Sequence, residues 1–212
     1  MMTSAKSDKT IARIMDAATQ HFARHGYEGA RMDKIAREAG VNKATIYYHL
    51  GGKKKLYTAV LHAVYSEYAA LMTGQVEAAP SPGEKLKVII RALRKLVHDY
   101  PHINAITMHE VASGGRNFPD ILTDDFARII GLTADTLQLG RETGETAAIH
   151  PMVLYLMAIG PLAYYEKIYN SAGLKGPLIN GSNARNVPVL TFHEFARQLE
   201  ALLLKTVNPN VE

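Results

Sequence analysis

Residues 32–50 read MDKIAREAGVNKATIYYHL: a short helical pattern, a glycine, and a second short helical pattern. Met32, Ile35, Ala36 and Ala39 recur at helical spacing, and Ile46 and Leu50 do so again after Gly40. Gly40 can take the positive φ that a sharp reversal needs. Ala36 is small where two crossing helices come closest, while Val41 and Ile46 supply apolar contacts that set their angle. Asn42 is a good N-cap for the second helix. With Ile46 and Leu50 turned inward, Lys43, Ala44, Thr45, Tyr47, Tyr48 and His49 face outward. Such a face can donate to phosphates and touch base edges in a major groove. It also suits an ordinary helical hairpin with a solvated surface, and the spacing alone does not decide between the two.

Charge sharpens the choice. Residues 1–57 hold 11 Lys/Arg against 5 Asp/Glu, whereas the remainder holds 13 against 15. A basic head on a slightly acidic body points to a polyanionic partner for the head. The chain of 212 residues is 47% hydrophobic and 21% charged, enough to bury a proper core. It has no cysteine, which removes disulfides, thiolate zinc sites, cysteine nucleophiles and thiol redox sensing. A cytoplasmic location is expected, because residues 1–10 are polar and lack the apolar stretch of a secretory signal. The longest nearly uninterrupted apolar run, 152–165, falls short of the roughly 20 residues of a membrane span and reads as a buried helix. No membrane partner is expected.

Helical periodicity extends outward in both directions. Ile11, Ile14, Met15, Ala18 and Phe22 form one stripe, which Gly26 should end in a left-handed capping conformation. After Gly51-Gly52 a long helix begins at Lys53 and fades near Gly74. Pro82 suits the first turn of the next helix, which should end before Pro101. A short helix is expected to stop at Ser113-Gly114-Gly115, and another to open at Pro119. Pro151 should start the apolar helix, which runs to about Asn170. Residues 173–188 read as a long loop, and a last helix over 189–206 stacks Phe192, Phe195, Leu199 and Leu202. No strand is expected. The fold class is all-α, with about nine helices.

The longer stretch 11–61, IARIMDAATQHFARHGYEGARMDKIAREAGVNKATIYYHLGGKKKLYTAVL, resembles the N-terminal signature of the TetR (tetracycline-repressor-like) family. The resemblance rests on Ala17-Ala18, Phe22, Gly26-Tyr27, Ile35-Ala36, Ala39-Gly40-Val41, Ile46-Tyr47-Tyr48-His49, Lys53 and Leu56, without a gap. It implies a three-helix helix-turn-helix head over 1–52 and a ligand-binding, dimer-forming helical body over 53–212. By the same resemblance Lys43, Ala44 and Tyr47 would face bases, and Thr45, Tyr48, His49 and Lys53 would grip phosphates. Lys53 follows Gly51-Gly52 near a helix N-terminus, where backbone amides also attract phosphate. Arg31 stands where the family commonly has a capping Ser or Thr: it can reach a phosphate but caps poorly. Leu50 replaces the usual Phe.

Other constellations carry less. His21 and His25, or His98 and His102, have a spacing that metal ligands use, but neither pair has a third ligand nearby in sequence. His21 and His25 are expected on the outer face of the head, and neither a metal nor a cofactor is expected. No nucleophile elbow, P-loop or dinucleotide fingerprint occurs, so no catalytic residue is assigned. Met108, His109, Tyr155 and Tyr164 are the expected lining of a pocket for an apolar or aromatic ligand, with Glu110 nearby leaving a cation open. The expected partners are a double-stranded DNA operator, a small-molecule inducer and a second copy of the chain. The helices over 152–170 and 189–206 are expected to form the homodimer interface. A repressor is the favoured reading, with an activator or a non-sensing DNA-binding protein of the same fold as alternatives.

Overall fold

Helix follows helix along the chain: α1 (Met2–Gly29), α2 (Met32–Glu38), α3 (Lys43–Leu50), α4 (Lys53–Ala78), α5 (Pro82–Asp99), α6 (Pro101–Ala112), α7 (Ile121–Glu142), α8 (Pro151–Asn170) and α9 (Phe192–Val207). The structure, a computed structural model, describes residues 2–170 and 190–208, and no strand occurs among them. The expected all-α class holds. The loop expected over 173–188 lies outside the described residues.

Local chemistry sets the helix ends. Gly26 interrupts α1 with φ 64° and ψ −178°, a region that only glycine enters without strain. One more turn then closes, the Ala30 amide donating to the Gly26 carbonyl at 3.3 Å. Gly40 takes φ 64° between α2 and α3, as the sharp turn requires. Ser81 caps α5 by accepting from the Glu84 amide, with Pro82 in the first turn. Thr191 and Glu194 form a reciprocal capping box at the start of α9. The donors of Thr191 hold the Glu194 carboxyl below the usual carboxylate range.

The described residues divide into two compact units, one from residues up to Glu67 with His102–Phe126, the other from Tyr68–Pro101 with those from Ala127 onward. In the first, α1, α2 and α3 pack around Ile14, Ala18, Phe22, Ile35 and Ile46, all fully buried. Tyr57, on α4, inserts its ring edge-on against Phe22 (4.8 Å between centroids) and Tyr27 (5.0 Å). Its hydroxyl donates to Glu110 Oε1 at 2.8 Å, and the other carboxylate oxygen accepts the Asn117 amide at 3.1 Å. Burial, then the bond to Glu110, pushes the Tyr57 phenol far above its ordinary value, so it remains a donor. Glu110 is therefore engaged inside the protein on both oxygens and is not a free counter-charge for a ligand.

His21 corrects the sequence reading. It is buried rather than on the outer face, and its Nε2 lies 2.7 Å from Glu38 on α2. The imidazole shares the inward side of α1 with Ala17, Ala18 and Phe22, and a carboxylate from the next helix satisfies it. His25 is exposed as expected.

In the second unit α5, α8 and α9 pack on one another. Val97, Leu162, Phe192 and Ala196 form a cluster flanked by Tyr165 and Leu199. Leu86, Ile89, Ile90, Leu93 and Leu96 extend the buried side of α5 at helical spacing. Arg91 Nε donates to Glu200 at 2.7 Å and ties α5 to α9. The expectation of a buried helix at 152–165 is met on one side only. Leu154, Tyr155, Ala158 and Leu162 are buried, whereas Val153, Leu156, Met157, Gly160 and Tyr164 are exposed. The helix is apolar nearly all round, so its periodicity does not say which side turns inward. No helix among the described residues is long and apolar enough to cross a membrane.

Replacing Tyr57 by Phe keeps the ring contacts but leaves the buried Glu110 carboxylate one donor short. The expected loss is about 1–3 kcal/mol of stability, read as a lower midpoint in thermal unfolding followed by circular dichroism. An unchanged midpoint would show that Glu110 does not depend on this bond.

Candidate nucleic-acid interface

The short helix α3 owes its start to Asn42, whose Oδ1 accepts from the Thr45 amide at 2.8 Å and the Thr45 hydroxyl at 2.9 Å. Ile46 is the buried anchor, and Leu50 is half-buried beneath the last turn. What remains outside is Lys43, Ala44, Tyr47 and Tyr48. Tyr47 is 49% and Tyr48 85% exposed, high for phenols with no solvent role to play. Lys43 Nζ sits 5.9 Å from the Tyr47 ring centroid, so cation and phenol lie side by side on one face. The Tyr48 ring meets His49 edge-on at 4.9 Å, and His49 itself is half-buried.

Two of the expected contacts are partly engaged within the protein. The Thr45 hydroxyl proton points at Asn42, so Thr45 serves the cap; Asn42 keeps its amide NH₂ for an outside acceptor. Lys53 donates from Nζ to the Glu28 carbonyl at 3.1 Å and lies 4.7 Å from the Tyr27 ring centroid. This cation therefore docks the first turn of α4 onto the end of α1 while staying partly open to solvent. Arg31 occupies the N-cap position of α2 without a side-chain cap bond, as expected. Its guanidinium is exposed, with Asp33 at 3.7 Å.

Arg13 was not anticipated. From α1 its Nη2 donates to the Gly40 carbonyl at 3.3 Å, which braces the turn between α2 and α3. Only its place on the solvent side of the α1 stripe, one turn from Ala17, could have hinted at this. The four residues expected around a ligand fall in both units. Met108 is half-buried and His109 exposed on α6, with the His109 ring 3.6 Å from where a Cβ at Gly26 would stand. Tyr155 and Tyr164 belong to α8 in the other unit, nine residues apart and so on opposite sides of that helix. Tyr155 is buried and Tyr164 exposed. Among the described residues no group of three His, Asp or Glu side chains could hold a metal ion.

Residues 14–60 match the family model described as bacterial regulatory proteins, tetR family. The match takes in α1 from Ile14 onward, all of α2 and α3 and the first turns of α4. The likeness continues beyond the head: the chain is 28% identical over 211 residues to the HTH-type transcriptional regulator RutR of Escherichia coli (strain K12), covering 98% of this chain and 96% of that one. The head carries the tetR-family signature. The chain is also 48% identical over 60 residues to the HTH-type transcriptional repressor SCO4008 of Streptomyces coelicolor, a stretch covering 28% of this chain and 31% of that one. Its fold matches that of the ketosteroid transcriptional regulator KstR2 of Mycobacterium tuberculosis, with a TM-score of 0.73 at 18% identity over 94% of this chain and 95% of that one.

Replacing Tyr47 or Lys43 by Ala should weaken binding to a cognate DNA site by about 1–3 kcal/mol and relax selectivity at one base position. Replacing Lys53 should weaken all sequences together and lower the salt slope by roughly one phosphate contact. Fluorescence anisotropy at several salt concentrations separates the two patterns.

Proposed function

We propose that this regulator is a repressor that holds a roughly palindromic operator as a homodimer and leaves it when a small molecule binds. The exposed α3 face carries the reading. Lys43, Ala44, Tyr47 and Tyr48 stand clear of the core on a capped helix whose other side is anchored by Ile46. Two copies of α3 would enter successive major grooves about 34–36 Å apart, the spacing of half-sites one helical turn apart. Residues 1–52 then act as the DNA-binding part and 53–212 as the ligand-binding and dimerising part. The site of action is the chromosome, in the cytoplasm. The likeness to SCO4008, a transcriptional repressor, favours that sign of regulation over activation.

The second copy is supported by α8. Val153, Leu156, Met157, Gly160 and Tyr164 fall at steps of three and four residues, so the exposed apolar positions make one continuous stripe. On α9, Leu202 is exposed on the side that also carries the half-buried Phe195 and Leu199. An apolar stripe of this kind is what a self-complementary twofold interface uses. Phe195 already stacks on its own Tyr165 at 4.1 Å between centroids, so Leu156 and Leu202 are the cleaner probes.

For the inducer, Met108 and His109 remain candidate contacts in the first unit and the buried Tyr155 a candidate in the second, whereas Tyr164 belongs to the exposed stripe. Because Glu110 is engaged by Tyr57 and Asn117, a mainly apolar or aromatic molecule suits the region better than a cation. Release requires only that the ligand favour a conformation with the two α3 helices wrongly spaced, a coupling of about 1–3 kcal/mol.

A Leu156→Glu variant should sediment as a monomer and lose operator affinity by about 3 kcal/mol or more, since the dimer would bury an unpaired carboxylate. A monomer with full affinity would refute the twofold arrangement. Selection of genomic fragments by the purified protein at moderate salt should recover a palindromic site. Metabolites drawn from the products of the adjacent genes should then lower operator affinity by the factor by which operator lowers theirs. Fragments recovered without any shared sequence would remove the repressor reading.

A further inference from the structure

The second unit contains an open groove of about 360 Å³ between the later turns of α4, α5 and the start of α9. None of the residues offered for the inducer lines it. Its apolar side is formed by Met72 and Phe192, and the Phe192 ring stacks face to face with His98 at 5.1 Å and 9°. Its other side is cationic, because Arg91, Arg94 and Lys95 lie on neighbouring positions of α5.

These three cations are not equivalent. Arg91 grips Glu200 at 2.7 Å, and Lys95 pairs with Asp99. Among the described residues Arg94 has only the Glu200 carboxylate at 4.0 Å, beyond hydrogen-bond reach, and its side chain is 28% exposed. A half-sheltered guanidinium with its fork of donors uncommitted is suited to a carboxylate. Beside it stands a second unsatisfied group. Tyr68 lines the same groove, is only 5% exposed, and its hydroxyl lacks a hydrogen-bond partner among the described residues. The Leu96 amide lies nearby but belongs to the ladder of α5. Burial above all holds this phenol above its ordinary value, and it stays a donor. Buried hydroxyls are rarely left without an acceptor.

We propose that this groove is a binding site for a small amphipathic carboxylate. The anionic head lies on Arg94 and becomes the acceptor that the Tyr68 hydroxyl lacks, and the hydrocarbon part lies along Phe192 and Met72. Glu200 and Asp99 already neutralise two of the cations, so a singly charged head fits better than a doubly charged phosphate. The volume is at the small end of ligand sites. The groove also stays open in the proposed dimer. On α9 it uses His193, together with the adjoining Arg197 and Glu200, whereas the apolar stripe uses Phe195, Leu199 and Leu202, about 200° away around the helix. The assignment is independent of whether the occupant is the inducer.

The test is calorimetric titration of the full-length protein with octanoate and with its uncharged isostere octanamide. One saturable octanoate site per chain is expected, with octanamide weaker by roughly tenfold. Arg94→Gln should weaken octanoate by roughly tenfold and Tyr68→Phe by several-fold. Arg141→Gln, an exposed cation on α7 outside the groove, should leave it unchanged, and thermal melts establish that each variant is folded. Absence of saturable octanoate binding, equal affinity for octanamide, or wild-type affinity in both the Arg94 and Tyr68 variants would overturn the proposal. Because Tyr68→Phe removes a single oxygen, and the octanamide comparison uses the wild-type chain, the result does not hang on how well the Arg94 variant folds.

Discussion

The hydrogen bond from Tyr57 to Glu110 is the constraint on which the first unit depends. A carboxylate this deeply buried is tolerable only if its oxygens are satisfied, and one of the partners comes from far along the chain. The phenol arrives on α4, and the Asn117 amide arrives from the segment between α6 and α7. The same ring packs edge-on against Phe22 and Tyr27 of α1. One side chain thus joins three helices and a turn. One helical turn earlier on α4, Lys53 lies over Tyr27 and holds the Glu28 carbonyl. Tyr27 is thus contacted from α4 by both Tyr57 and Lys53.

On α3 the cap and the exposed face divide the polar side chains between them. Asn42 and Thr45 stabilise the first turn by bonding to each other and to the backbone. That leaves Lys43, Tyr47 and Tyr48 facing outward without a part in holding the helix. The arrangement is economical for a helix of eight residues, which has little intrinsic stability and depends on its cap and on Ile46.

The second unit shows how one helix can serve two surfaces. Positions 195, 199 and 202 of α9 continue the apolar side shared with α8, whereas positions 193, 197 and 200 lie with the cations of α5. Phe192, Ala196 and Leu203 between them are buried against α5 and α8. A twofold contact and a ligand groove can coexist on such a helix because the two faces do not overlap.

Much of this was legible in the sequence alone. The helices, the break at Gly26, the turn at Gly40, the caps at Asn42 and Arg31 and the outward face of α3 all follow from spacing and backbone preference within a few residues. Those signals are local, and 3.6-residue periodicity reports them directly. Tertiary structure decided the rest. Glu110 looked like a counter-charge for a ligand until Tyr57, 53 positions earlier, was found to hold it. His21 looked solvated until Glu38 turned out to meet it from α2. The exposed side of α8 was undecidable while every side was apolar, and Arg94, Tyr68 and Phe192 share a groove only because three separate helices bring them together. A linear pattern states which face of a helix is apolar. Which distant side chain satisfies a buried charge, or leaves a hydroxyl unsatisfied, depends on packing in three dimensions.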